Sequence, residues 1–484
     1  MPETVSYQVP AGSKVRIRMY RQGLGDCFLL TFYDNNGPNH ILIDCGVLLG
    51  TPNGSQKILQ VAQDIATETN GKLKALVATH EHWDHISGFF DAAEVFDPFD
   101  IGEIWVAWTE DPSNPTAKSL KRQNSLKLQA IHLALAQLAE TGEPQFQAYG
   151  QGVAGLLAFF GGPAAGATLA AFSDKTSQAM AKVTQRHPVP TYCKPGDVIR
   201  RDWLPGVGIY VMGPPEDPAM LHLMEGPVGK DMYGLTGADS AFAAALEASA
   251  LAAMGEEADP ISAGLIDAAL PFNASLQWHD KPGKNRILED PQFGPLYKSY
   301  MADDASWRRI DQDWLLSMAR LGLQLDNATN NTSLVLAFEF SDTKEVLLFA
   351  ADAQIGNWKS WFTIKAFDAA DLMRRTVFYK VGHHGSHNAT LKEGGLEAMT
   401  TPGLVAAIPV DENFANNVKH WPMPAKPLYA RLQDLTRGRI LRADKTWPSD
   451  ADQPPPGLST EDWRDFTGMV QLAPDGLFID FYMK

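Results

Sequence analysis

Cysteine is scarce: Cys27, Cys45 and Cys193 are the only three in 484 residues. An odd set without short paired spacing excludes a disulfide framework and a cysteine-built zinc knuckle. The three read as small buried hydrophobes. Positive charge is also in deficit, with 41 Lys and Arg against 57 Asp and Glu and a net charge of −16. Such a field disfavours broad, sequence-independent binding to nucleic acid, although it leaves room for a locally basic groove. The deficit is concentrated, because residues 215–304 hold 15 acidic against 5 basic side chains. The first 14 residues lack the basic-then-apolar pattern of a secretion signal, so the expected location is cytoplasmic. A convincing membrane span is missing too. Residues 154–172 are uncharged and approach the roughly 20 residues a bilayer requires. They are mostly Ala and Gly, are broken at Gly161-Gly162-Pro163, and have no Lys/Arg cluster against either end.

What is present is an interrupted α/β pattern. Val15–Tyr20 alternates, a Gly23-Leu24-Gly25-Asp26 turn follows, and the apolar runs 27–33 and 41–43 flank a second turn and end at Asp44-Cys45-Gly46. Residues 58–69 have helical spacing, whereas 73–78 and 101–108 are short apolar runs of buried-strand type. Ala- and Leu-rich stretches then fill 110–188, strand character returns at 196–199 and 207–212, and the acidic segment follows. Trp307, Ile310, Trp314, Leu315, Met318 and Leu321 share one helical face at its end. From residue 333 strands dominate again, with a hairpin over 333–340 and 346–350 and buried strands at 377–381 and 404–408. The expected organisation is a core in three parts, 1–109, 189–214 and 323–484, interrupted by a helical insertion at 110–188 and an acidic helical one at 215–322.

The strongest chemical signal is Thr79-His80-Glu81-His82-Trp83-Asp84-His85, which directly follows a buried-strand run. In an extended loop residues two apart project the same way, so His80 and His82 can offer imidazoles to one metal while Glu81 faces elsewhere. Asp84 and His85 can serve a second. Asp352 follows the strand candidate 346–350, where a buried carboxylate is costly without a cation beside it, and bridging two ions is its natural role. His383-His384-Gly385-Ser386 follows 377–381 in the same manner and places an imidazole at a strand's carboxyl end.

In order and spacing these segments resemble the metallo-β-lactamase-fold hydrolases, in particular the hydrolase domain of the DNA-uptake competence protein ComEC. The resemblance runs through Gly23 to Asp26, Ile41 to Gly46, Thr79 to His85, Gly196-Asp197, Met212-Gly213-Pro214-Pro215, Asn331 to Leu336, Leu347 to Asp352 and Lys380 to Ser386. It skips both insertions. It implies an αββα sandwich of two mixed sheets with a two-metal site at one edge. His80 and His82 would hold the first ion, Asp84, His85 and His383 the second, and Asp352 would bridge, while Asp26 and Asp44 would orient histidines by hydrogen bonding. Many relatives have a further histidine for the first ion, and near its expected place stand Asn330 and Asn331. The first site is therefore expected to be weaker or completed by water, with Asn331 supporting it.

The expected cofactors are two divalent ions, zinc preferred and manganese compatible. Water activated by the metals attacks, Asp84 counts among the catalytic groups, and His384 or His420 could protonate the leaving oxygen. Phosphodiester hydrolysis of nucleic acid or nucleotides is the leading expectation, because the basic residues Arg431, Arg437, Arg439, Arg442 and Lys445 could track phosphates. The alternatives are hydrolysis of a small ester, lactone or thioester, and a regulatory or assembly protein whose insertions mediate homo-oligomer or protein contacts. No membrane partner is expected.

Overall fold

The computed structural model describes residues 9–35, 37–140, 153, 155–162, 175–223, 291–300, 302, 318–445 and 453–484. Ten strands lie on the amino-terminal side or close back onto it. They are β1 (Val15–Tyr20), β2 (Phe28–Asp34), β3 (Gly37–Ile43), β4 (Lys72–Leu73), β5 (Ala75–Ala78), β6 (Asp100–Ile101), β7 (Ile104–Ala107), β8 (Thr191–Cys193), β16 (Val470–Leu472) and β17 (Phe478–Met483). The other seven are β9 (Val198–Ile199), β10 (Val207–Gly213), β11 (Val335–Phe340), β12 (Val346–Phe349), β13 (Thr376–Lys380), β14 (Val405–Ile408) and β15 (Ile440–Arg442). The first sheet has the order β16-β17-β1-β2-β3-β5-β7-β8 and the second β15-β14-β13-β12-β11-β10-β9, with β4 and β6 forming a small ladder of their own. Both sheets are mixed: β1, β2, β3 and β17 pair antiparallel while β3, β5, β7 and β8 run parallel, and β12 to β15 are parallel beyond the antiparallel β9 to β12.

One core fills the space between the sheets. Ile17, Phe28, Leu30, Ile43 and Trp105 from the first sheet meet Phe338, Leu347, Phe349 and Phe378 from the second. Phe28 and Phe349 cross edge to face with ring centres 5.6 Å apart, a preferred aromatic geometry. Two further cores lie outside. Helices Gly54–Thr69 and Trp83–Asp91 cover the outer face of the first sheet, and Ile355–Trp361, Ala369–Arg374 and Lys426–Thr436 cover that of the second. The chain is thus α/β, with two mixed sheets face to face and helices on the outer side of each.

Burial on both faces explains a departure from simple alternation. The period of two in β1 points Arg16 and Arg18 away from the inter-sheet core, where solvent would be expected, yet they are only 3% and 1% exposed. Asp480 of β17 and two acids of helix Gly54–Thr69 neutralise them. Arg18 takes both oxygens of Asp480 at 2.8 Å and reaches Asp64 at 2.8 Å, while Arg16 meets Glu68 at 2.7 Å. Buried charge is tolerated only with such pairing. A second departure is that the apolar runs at 73–78 and 101–108 each break into two strands. Lys74 and Gly102 mark the breaks, and a Cβ on Gly102 would stand 2.9 Å from the Lys74 carbonyl oxygen.

The described parts of both insertions lie beside the core. Helices Pro115–Glu140 and Lys175–Thr184 belong to the first, and Ala179, Met180 and Val183 join Ile86 and Phe89 in the outer core. Helix Met318–Asn330 runs across the expected end of the second at residue 322 into the last part of the core, and its Gly322 fits against Leu156 and Ile131. The expected apolar face at Trp307, Ile310, Trp314 and Leu315 lies outside the described residues, as do the side chains of Met318 and Leu321. Among the described residues, no helix is long and apolar enough to cross a membrane; most of the uncharged stretch 154–172 lies outside them.

Candidate metal centre

The carboxyl ends of β3, β5, β12, β13 and β14 converge, and the connecting segments that leave them carry the polar cluster. After β5 the chain bends at His80 and Glu81 and is extended at His82, the last residue before helix Trp83–Asp91, at φ −101° and ψ 148°. Asp84 and His85 therefore project from a helix's first turn, whereas His80 and His82 project from the connection before it. Two glycine turns clamp this helix start. A Cβ on Gly25, at φ +150°, would stand 2.7 Å from the Asp84 carbonyl oxygen, and one on Gly46 would collide with the Asp84 backbone. The neighbouring amides of Asp26 and Cys45 donate to Asp84 O and His85 O at 2.9 and 2.8 Å.

Four donor atoms face one another at the centre. His85 Nε2 lies 3.0 Å from Asp352 Oδ2 and 3.9 Å from Asp84 Oδ2. His384 Nε2 lies 2.9 Å from Asp84 Oδ2 and 3.9 Å from Asp352 Oδ2. All four side chains are fully buried. Ligands at 2.0–2.2 Å from one tetrahedral zinc stand roughly 3.3 Å apart; His85 and His384 each hold one carboxylate near that spacing and the other at 3.9 Å, and the donors that all lie within 4.8 Å of one another are those of Asp26, His85, Asp352 and His384. His85 Nε2, Asp352 Oδ2 and Asp84 Oδ1 have no hydrogen-bond partner. Buried polar atoms are seldom left that way without an ion to complete them.

Each histidine of the cage is braced on its other nitrogen. His85 Nδ1 is 2.7 Å from Asp44 Oδ2, and Asp44, at φ +55°, also accepts from the Thr79 amide and hydroxyl at 2.8 and 2.7 Å. His384 Nδ1 is 2.8 Å from Pro409 O. These contacts aim Nε2 into the cage, as in carboxylate–histidine–metal arrangements. Asp26 also brings an oxygen within 4.8 Å of donor atoms of His85, Asp352 and His384. It faces the Nδ1 edges, at 3.8 Å from His85 and 3.6 Å from His384, and so lies behind the rings. There it pairs with the Lys380 ammonium, which also reaches Asp352 Oδ1 at 3.1 Å and Ala351 O at 2.8 Å. Burial would raise the Asp352 carboxyl, but His85, Lys380 and His384 hold it well below the carboxylate range. Burial would lower His85, and Asp352, Asp26, Asp44 and Asp84 together raise it well above 6.5.

Beside the cage, His80 Nε2 and His82 Nδ1 stand 3.1 Å apart. His80 Nδ1 meets Thr79 Oγ1 at 3.1 Å and Ser333 Oγ at 3.4 Å. Burial pushes His82 down to about 3 and His80 well below its ordinary value, so both are neutral donors. His82 Nε2 has no hydrogen-bond partner. It faces Asp326 Oδ1 at 3.8 Å, a buried carboxylate oxygen equally without a partner. Burial, then Asp84 and Asp352, raise the Asp326 carboxyl well above its ordinary value.

The remaining expected residues are placed differently. His383 and His384 both have left-handed backbone, at φ 41° and 53°. That turns His384 to the cage, while both ring nitrogens of His383 remain without a partner and its ring faces Phe159 at 5.9 Å. His383 also contributes its amide, which donates to Asp352 Oδ1 at 3.1 Å. Asn331 is turned away: its Nδ2 donates to Leu221 O and Leu223 O at 3.1 and 3.0 Å, and its Oδ1 accepts from the Asn357 amide at 3.1 Å. It ties the start of the second insertion to helix Ile355–Trp361. His420 is exposed and has no hydrogen bond or ion pair to the cluster, whereas the next residue, Trp421, stacks on Phe159 at 5.0 Å. The basic stretch is largely neutralised. Arg431 pairs with Glu397, Arg442 with Glu412 and Asp444, and Arg439 donates to Pro402 O and Thr436 O.

Phe159 and Phe160, from the first insertion, lie against His82 with ring centres 5.5 and 4.9 Å away. Glu81, facing away from the metal side chains, meets Ser177 and Lys121 of the same insertion, and Lys121 also holds Glu110 at 2.6 Å. A polar cavity of about 570 Å³, lined by Arg21, Lys57, Asp411, Glu412 and Lys445 among others, contains none of the metal-cluster residues.

Sequence reasoning missed Lys380, Asp326 and the Phe159-Phe160 cover. A signal existed for Asp326, because Gly322, Leu325, Asp326 and Thr329 recur at helical spacing and all are buried. A carboxylate on an apolar helix face asks for a partner. Compared with known proteins, the chain matches no family model and no curated protein.

Proposed function

We propose that the protein is a metal-dependent hydrolase of the metallo-β-lactamase type, acting on a small substrate. The observation that carries this reading is the convergence of Asp84, His85, Asp352 and His384, all fully buried, where His384 Nε2 meets Asp84 Oδ2 while His85 Nε2 and Asp352 Oδ2 face each other without a hydrogen-bond partner. The donor set, two imidazoles and two carboxylates, suits zinc and also manganese. His80 and His82 would hold a second ion. A divalent ion in such a site lowers the pKa of water toward neutrality and neutralises charge developing on the substrate.

The chain's own residues do the rest. Asp352 stands between Lys380 and the two cage histidines, where its second oxygen is free to serve an ion. Asp44 and Pro409 O hold the Nδ1 edges of His85 and His384, so with an ion on Nε2 neither ring would have a proton free for a leaving group. His383 is the imidazole left over, buried beside Asp352 with Phe159 against it, and is available to substrate. We accordingly exchange the roles expected of the two adjacent histidines: His384 binds metal and His383 faces the reacting group.

Phosphodiester cleavage in a nucleotide-sized substrate is the leading reaction, since paired ions suit in-line displacement at phosphorus. A long nucleic acid is disfavoured, because Phe159, Phe160 and Trp421 wall the site and the nearby arginines are already engaged. The same apolar wall favours a second reading, hydrolysis of a small ester, lactone or thioester. Turnover should be measured with zinc and with manganese on bis-p-nitrophenyl phosphate, cyclic nucleotides, single-stranded DNA, RNA, a lactone and a thioester. The expected result is turnover of small substrates only; none with any metal would move the reading to a regulatory or assembly protein.

A further inference from the structure

The three histidines other than His82 whose nitrogens converge on the centre share a device that His82 lacks within its own neighbourhood. His85 has Asp44 behind it, His384 has Pro409 O, and His80 has Thr79 and Ser333, all from segments of the two sheets and their end loops. His82 converges through Nδ1, so its outward nitrogen is Nε2, and the group facing that nitrogen comes from the helix that leads out of the second insertion. Helix Met318–Asn330 brings Asp326 there, 4% exposed, with Oδ2 accepting from Asn330 Nδ2 at 3.2 Å and Oδ1 turned to His82 at 3.8 Å without a partner. A buried carboxylate oxygen and a buried imidazole nitrogen, both unpartnered and facing each other, are costly apart and complementary together.

We infer that Asp326 is a positioning residue of the first metal site: it accepts the His82 Nε2 proton and so presents Nδ1, beside His80 Nε2, to a divalent ion. The inference rests on the two-ion reading above. It assigns the helix joining the second insertion to the core a part in the centre, because that helix carries the brace that a third protein ligand would otherwise make less necessary. Asp326 acts through His82 and not as a ligand: it stands behind the His82 ring, facing Nε2, while Nδ1 is the nitrogen turned to His80.

The test is a titration of chelator-treated wild type, Asp326→Asn and Asp326→Ala with zinc and with cobalt, read as stoichiometry and affinity. Circular dichroism controls for folding, and the histidine ring N–H resonances of the zinc-loaded proteins are recorded alongside. Wild type is expected to take two ions. Asp326→Ala should weaken the second-bound ion about 10- to 100-fold, the usual effect of losing a histidine's brace, and leave the tight ion unchanged. Asp326→Asn, which keeps an acceptor oxygen, should recover part of that loss, and the His82 ring N–H signal should survive in it but not in Asp326→Ala. Unchanged affinity in Asp326→Ala overturns the inference, as does complete loss of the second ion in a folded Asp326→Asn, which would make Asp326 a ligand. Should Asp326→Ala fail to fold, Asp326→Asn with its N–H signal decides alone. A wild type that takes one ion overturns the two-ion premise itself, an outcome distinct from either.

Discussion

The two halves of the centre are built to different standards. Asp84, His85, Asp352 and His384 form a closed set, with Asp44 and Pro409 O behind the rings and Lys380 behind Asp352. His80 and His82 are only two donors, 3.1 Å apart, with a carboxylate from helix Met318–Asn330 standing off at 3.8 Å. The difference teaches that a two-metal motif does not guarantee two equal sites. Preorganisation sets affinity, because a donor already held in place loses little freedom when an ion arrives. The cage should fill first and hold its ion through dialysis, while the pair should fill only with metal in excess.

The largest effect that would sharpen this contrast is expected from Asp352→Ala. Elemental analysis should find metal content falling from about two ions per chain to below one, with activity at background, whereas His80→Ala keeps the tight ion. Equal metal content in wild type and Asp352→Ala would break the comparison. Next comes the exchange of adjacent histidines: His384→Ala should lose the tight ion and His383→Ala should retain it while losing turnover, and the opposite pattern would return His383 to the ligand set. Lys380→Met leaves Asp26 and Asp352 as uncompensated neighbours and should destabilise the metal-free protein by about 3–5 kcal/mol. Denaturant unfolding with and without chelator measures this, and the loss should shrink when metal is bound. Asp44→Asn should weaken the tight ion by about 10- to 100-fold, read by competition with a chromophoric chelator. The smallest effect is expected at His420, where replacement by alanine should stay within about 0.5 kcal/mol, roughly twofold in rate. A tenfold loss would bring that exposed residue back into the machinery.

Much of this was legible in the linear chain for a simple reason. Short-period patterns are local, and His80, His82, Asp84 and His85 lie within six residues of one another at the end of an apolar strand. Asp352 was legible on similar grounds, as an acid directly after a buried strand. Even there the local pattern misjudged the backbone, since Asp84 and His85 come from the first turn of a helix and not from the loop. Asn331 shows the opposite failure, because its position in the chain matched an expected gap in the first site while its side chain is spent on Leu221, Leu223 and Asn357.

From the sequence alone came the strand pattern and the histidine and carboxylate types that gather at the strand ends, properties set by residue spacing and composition. Tertiary structure decided the rest. Two consecutive histidines are equivalent in spacing, and only the left-handed backbone of both, with Pro409 O behind one, distinguishes them. Arg16 and Arg18 are buried because Asp480 of β17 and Asp64 and Glu68 of the covering helix meet them there. Lys380, Asp326 and Phe159 reach the centre from a strand, a helix and an insertion far apart in the chain, and contacts of that kind carry no period or motif because nothing but packing relates the residues that make them.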